Sequence, residues 1–282
     1  MKWQGRRGSR NIEDRRRSDS RRTAGGIGGL AGVLILLAGW YFGVDTSQFV
    51  SFDDQVTSSQ QVEITPADER AAEFVSVTLA DTEEVWADIF ANQLGQRYEP
   101  PTLVLFKGAT RSACGGASAA TGPFYCPPEE KAYLDTDFFV TLERRLGASG
   151  DFAAAYVVAH EVAHHVQNEL GILGQVNQLR ARVSESDANA LSVRLELQAD
   201  CLSGIWARAA ERRFDSLEAG DIEEAMNAAA QIGDDTLQRN AGQVVRPHTF
   251  THGTSAQRQR WFLRGYQTGS LESCDTFAAD QL

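Results

Sequence analysis

The chain has 282 residues, 42% of them apolar, which is enough for one sizeable catalytic domain and too little for two. Its formal charge of −11 is unevenly spread: residues 1–24 hold Lys2 and eight arginines against Glu13, Asp14 and Asp19, about +6, so the remainder carries about −17. The basic start stands directly before an apolar stretch, where membrane orientation and anionic headgroups explain it better than nucleic acid, so DNA binding is set aside.

In chain order, residues 1–24 read as a basic cytoplasmic arm. Gly25 to Val44 gives about 20 residues without a charge, the length needed to cross a hydrocarbon layer of roughly 30 Å, and reads as one transmembrane helix. Trp40, Tyr41 and Phe42 cluster at its far end, and the arginines at its near end stay cytoplasmic under the positive-inside rule. The body is therefore expected outside the cytoplasm, periplasmic or extracellular, on a single-pass anchor. A cleaved signal is the rival, but no small-x-small site follows cleanly. Residues 45–65 are polar and suit a linker. From Pro66 the spacing of Phe74, Val77, Val85, Trp86, Ile89 and Phe90 predicts a helix to about Leu94.

Thr102 to Phe106 and Ala132 to Leu134 read as strands separated by a Gly/Ala/Ser-rich loop, Gly115 to Pro123, and suggest a small sheet beside the helix that follows. Such a sheet either offers an edge to an extended peptide or simply covers the core. Asp151 is a candidate N-cap, residues 152–158 are apolar, and Gly171 stops the helix. Later helices are expected at Asp187–Arg212, Asp221–Arg239 and Ser255–Thr268, the last opened by a Thr254/Gln257 capping box. The fold class is α+β, mostly helical, with residues 66–282 as the catalytic domain.

The central helix carries His160-Glu161-Val162-Ala163-His164. Histidines four apart lie on one helical face and can share a metal ion, for which zinc is the suited choice. Glu161 is placed to take a proton from a water beside that metal. In Glu196-Leu197-Gln198-Ala199-Asp200 two carboxylates again share a face: Glu196 is the candidate third ligand, and Asp200 the acceptor for a ring N–H of a ligand histidine. Apolar neighbours such as Leu195, Leu197, Leu202, Ile205 and Trp206 mark that helix as buried. A metzincin arrangement is excluded, because Gln167 and Leu170 stand where glycine and histidine are needed. His252, and after it His248, are candidates for a further metal ligand or for the donor to a transition-state oxyanion; His165 points about 100° from the ligand face. Four cysteines suit an oxidising compartment, and the favoured pairs are Cys114 with Cys126, bracketing the glycine-rich loop, and Cys201 with Cys274, stapling the C-terminal tail.

The charged start Met1-Lys2-Trp3-Gln4-Gly5-Arg6-Arg7, the motif His160 to His165, the string Leu195 to Cys201 and the segment His252 to Arg258 with Trp261-Phe262 together resemble the bacterial putative neutral zinc metallopeptidase family over nearly the whole chain. The resemblance implies a zincin-like peptidase of the wider gluzincin group. It implies one Zn2+ ion on His160, His164 and Glu196, with Glu161 as general base and Asp200 behind the ligands, acting on a peptide or protein substrate. Two other classes stay open: a zinc-binding scaffold without turnover, and a hydrolase acting on amide bonds of the cell wall. The sequence is silent on substrate and oligomeric state.

Overall fold

The computed structural model describes residues 1–17, 63–118, 121–144 and 147–282. The expected transmembrane helix at 25–44 and all but the end of the linker lie outside these residues; among the described residues no helix is long and apolar enough to cross a membrane.

A four-stranded sheet in the order β1-β2-β6-β5 forms one side of the domain, from β1 (Ile12–Asp14), β2 (Thr102–Phe106), β5 (Phe124–Cys126) and β6 (Lys131–Asp135). The first two pairings are parallel and β6 with β5 is antiparallel. Alternation along β2 sends Leu103 and Leu105 into the main core and Val104 and Phe106 into a second cluster with Tyr133 and Cys126, so both faces of this strand are buried. A hairpin of β3 (Ala109–Ser112) and β4 (Gly115–Ser118) occupies part of the segment expected to be loop. Cys114 is bonded to Cys126, which fixes the hairpin tip to the edge strand β5.

Helix α1 (Pro66–Ile89, continued by a π-turn to Leu94) opens with a capping box: Asp68 N–H donates to the Thr65 hydroxyl, and Thr65 N–H donates to the Asp68 carboxylate. The same carboxylate accepts from Lys107 Nζ at 2.8 and 2.9 Å and from Thr136 Oγ1 at 2.9 Å, tying the helix start to the ends of β2 and β6. After the short α2 (Asp137–Arg144), helix α3 (Asp151–Glu169) runs through the core, with nearly every residue from Phe152 to Val166 buried. Helices α4 (Ile172–Arg180), α5 (Glu185–Phe214), α6 (Asp221–Gln231), α7 (Asp234–Asn240) and α8 (Ser255–Thr268) complete the domain.

Helices α5 and α8 cross with their backbones in close approach. A Cβ built on Gly204 would lie 2.0 Å from Phe262 O, and one on Gly265 would lie 1.8 Å from Cys201 O. Glycine at both places lets the two backbones touch. Cys201 is also bonded to Cys274, which holds the C-terminal tail against α5.

Residues 1–17 supply β1, and Arg16 is 5% exposed among Asp14, Glu69 and the Asp68 carbonyl. Two helix boundaries expected from the sequence are corrected. Asp151 is the first helical residue and Gly150 the cap, because Glu224 of α6 reaches across and accepts from Phe152 N–H at 3.1 Å. The helix expected over Asp221–Arg239 breaks at Gly233, where a Cβ would fall 2.4 Å from Ser255 N. Helix α4, just after Gly171, was not expected from the sequence.

Candidate metal centre

Helix α3 presents Tyr156, His160 and His164 on one face, each four residues from the last. Helix α5 faces it with Glu196 and Asp200. His160 Nε2 lies 3.0 Å from Glu196 Oε2, and His164 Nε2 lies 3.5 Å from Glu196 Oε1. The three residues thus offer ligand atoms within 4.8 Å of one another.

The far nitrogens show what this arrangement wants. His164 Nδ1 is 2.8 Å from Gln167 Oε1, and the Gln167 amide is oriented because its Nε2 donates to Leu195 O at 2.7 Å and Gln198 Oε1 at 3.1 Å. An amide oxygen only accepts, so His164 carries its proton on Nδ1 and turns a lone pair toward Glu196. His160 Nδ1 lies 3.0 Å from Asp200 Oδ1, a charge contact bent away from hydrogen-bond geometry, which likewise favours the proton on Nδ1. Lone pairs then face a carboxylate at close range. Either an imidazole takes a second proton or a cation lies between the groups. The pull toward a cation is evident at His160: burial works against its charged form, yet Asp200 and Glu196 leave it raised to about 9. Two neutral imidazoles and a carboxylate are a donor set that fits zinc and leaves a coordination position open.

Behind the ligands stands a buried ionic cluster. Asp200 is fully buried and accepts Arg258 Nε and Nη2, each at 2.9 Å, and the Tyr156 hydroxyl at 2.5 Å. The paired guanidinium keeps Asp200 below the usual carboxylate range despite burial. Arg258 comes from α8, so the glycine contact between α5 and α8 is what brings it within reach.

Glu161 is 8% exposed beside the two histidines, and among the described residues no side chain hydrogen-bonds it. Burial raises its carboxyl, while the charges of His164 and His160 oppose that. Glu196 is half-buried; burial pushes its carboxyl up, but His164 and His252 outweigh this and hold it well below its ordinary value.

His252 sits on a loop folded over α5: a Cβ on the next residue, Gly253, would stand 3.3 Å from both Val193 and Leu197, the residues flanking Glu196. Asp234 organises this loop by accepting the backbone N–H groups of Thr251, His252 and Gly253 on Oδ2 and by standing 3.3 Å from His252 Nδ1. Burial lowers the imidazole, but Glu196 and Asp234 leave it raised. His248 is not brought to the site: it is exposed on a 3-10 turn, and its carbonyl accepts from Asn189. His165 points away as expected. It donates from Nε2 to Glu99 O at 2.7 Å and accepts the Tyr125 hydroxyl on Nδ1 at 2.9 Å, which fastens edge strand β5 to α3.

Tyr156, Gln167, Asp234 and Arg258 were not singled out from the sequence. Arg258 had a legible signal: with Trp261, Phe262 and Gly265 it falls on the buried stripe of its helix, and a charge on such a stripe needs a carboxylate partner. Gln167 lies three residues after His164, on the same face.

Comparison with known proteins adds a family. Residues 1–277 match the family model described as putative neutral zinc metallopeptidase. The chain is 45% identical to YpfJ of Escherichia coli strain K12, described as uncharacterized, over 98% of this chain and 99% of that protein. It is 47% identical to Mb2605 of Mycobacterium bovis and to Rv2575 of Mycobacterium tuberculosis, both also described as uncharacterized, over 66% of this chain and 65% of each. No solved structure matches it.

Proposed function

The chain belongs to the putative neutral zinc metallopeptidase family, and from that premise we propose that it hydrolyses peptide bonds at the cluster of His160, His164 and Glu196, with Glu161 as the acid–base residue. The observation that carries this reading is the convergence of two imidazole lone pairs and a carboxylate on one point, with an unpaired buried carboxyl beside it.

A zinc ion held by these three residues supplies Lewis-acid chemistry, polarising a carbonyl and lowering the pKa of an adjacent water. Glu161 removes a proton from the attacking water and delivers it to the leaving amine, two roles that suit a carboxyl raised by burial. Asp200, fixed by Arg258 and Tyr156, holds His160 in the ligating tautomer, and Gln167 does the same for His164. His252, held beside Asp234, is the donor to the developing oxyanion. The outer edge of β5, which pairs with no other strand among the described residues and is fastened to α3 through His165 and Tyr125, is the platform on which an extended peptide adds as a strand. The catalytic domain is exported and attached to a membrane through residues 25–44, a setting supported by two disulfides.

The test uses the purified chain and a peptide library. Cleavage abolished by a chelator, restored by zinc, and absent in a Glu161→Gln variant that still binds zinc stoichiometrically supports the reading. A variant that keeps cleaving sinks it, and zinc binding without any cleavage by the wild type leaves the scaffold reading.

A further inference from the structure

The first seventeen residues behave as a piece of the domain. Ile12, Glu13 and Asp14 lie in parallel register with Leu103, Val104 and Leu105, and Arg15 N–H donates to Leu105 O at 2.7 Å. Upstream, Ser9 N–H donates to Ser76 O at 2.9 Å, and Trp3 meets Phe74 edge-on at 5.5 Å. Arg6 makes two bonds to the buried Asp81, at 2.7 and 2.6 Å, and lies 4.4 Å over the Phe214 ring.

The charge asymmetry of the sequence has its explanation here. Lys2 pairs with Asp215, Arg6 with Asp81, Arg7 with Glu84, and both Arg16 and Arg17 with Glu69. These five cations, which read from the sequence as a signal for the cytoplasmic leaflet, meet four carboxylates of the acidic body, with Arg16 and Arg17 sharing Glu69. Removing the segment would leave Asp81 as a buried unpaired charge and β2 with an open edge. A segment this closely fitted cannot stand on the far side of a bilayer from residues 63–282.

We propose that residues 1–17 and the catalytic domain occupy the same compartment, so that the intervening segment does not carry them to opposite sides of the membrane. The proposal is independent of whether the site hydrolyses peptides.

The structure supplies a cross-link to test it. A Cβ on Gly8 lies 3.4 Å from Ser76 Cβ, close to the range of roughly 3.5–4.5 Å found between bridged cysteines. The full chain carrying Gly8→Cys and Ser76→Cys is expressed in intact cells and treated with a membrane-permeant oxidant. Linked fragments are then read by mass spectrometry, with Gly5→Cys and Ser76→Cys as the control, since a Cβ on Gly5 meets nothing within 4 Å. The expected result is an intrachain link in most of the Gly8 pair and little in the control. A link that forms only after detergent has dissolved the membrane overturns the proposal. A second measurement does not depend on the engineered bond. Single cysteines at Arg7, whose side chain is 59% exposed, and at Val244, 75% exposed, are challenged with an impermeant thiol reagent. Matching behaviour at the two positions, both labelled before lysis or both only after it, supports a shared side, and a split overturns it.

Discussion

Substituting Gly265 by Ala tests whether the contact between α5 and α8 governs the metal centre. The added methyl would sit 1.8 Å from Cys201 O and 3.0 Å from Ile205 N, against an ordinary contact of 3.4–4 Å. Both obstacles are helix backbone, so the helices must part by more than an ångström. Overpacking of this kind costs about 3 kcal/mol when no side chain can yield. Arg258 and Asp200 lie on these same helices, and contacts of 2.9 Å cannot survive such a separation as hydrogen bonds. Losing the support behind His160 weakens metal binding roughly 10- to 100-fold. The assay pairs denaturant unfolding with competition for zinc against a chromophoric chelator. Gly174→Ala is the control: it lies on a helix, its Cβ meets nothing within 4 Å, and the change is expected to stabilise by about 0.5–1 kcal/mol. If Gly265→Ala behaves like Gly174→Ala in both measurements, the reasoning is refuted.

Four further outcomes follow from the same contacts. Glu161→Gln is expected to keep zinc and fold normally while losing turnover by about a thousandfold; steady-state kinetics and elemental analysis check this together. Arg258→Lys replaces a two-pronged contact with a point charge, and zinc affinity is expected to fall about tenfold with the pH profile of binding displaced, whereas an arginine acting only as filler would leave that profile in place. Burial raises the Asp68 carboxyl, but Lys107 and Thr65 outweigh it and hold it well below the carboxylate range. Its contribution is therefore present above about pH 4 and lost as pH falls through the lowered value, so Asp68→Asn is expected to cost about 3 kcal/mol near pH 7 and progressively less in acid; unfolding curves across pH decide it. Replacing Cys201 and Cys274 by Ser opens a link spanning 73 residues and is expected to cost about 4 kcal/mol on a chain-entropy basis. Zinc affinity should drop as well, because Cys274 O orients Gln198, which orients Gln167 and through it His164.

What the sequence disclosed followed its strongest periodicities. The helical spacing of His160 and His164, the apolar run before them and the Thr254/Gln257 capping box all have local causes, and the structure places each on the expected element. The two cysteine pairs also stand as expected. What stayed hidden depends on contacts between distant segments. Strand β1 has one apolar residue, Ile12, among charges, so neither alternation nor composition marks it; it is a strand because the edge of β2 is there to receive it. The break at Gly233 arises from the approach of Ser255, which no local propensity encodes. Nothing in the local sequence marks Asp234, which gathers the backbone N–H groups of Thr251, His252 and Gly253.

The pairing of Ile12 with Leu103 also fixes an order of events during synthesis. Strand β1 is made before its partner and has no strand to join until Leu103 to Leu105 have followed, and closing so long a loop is slow. Between the synthesis of β2 and the docking of β1, Arg6 and Arg16 lack their folded-state partners and the row of hydrogen-bonding groups along β2 is open to any passing extended chain. That interval is when the edge of β2 is most open to mispairing, and it closes only when a strand made long before returns to cover it.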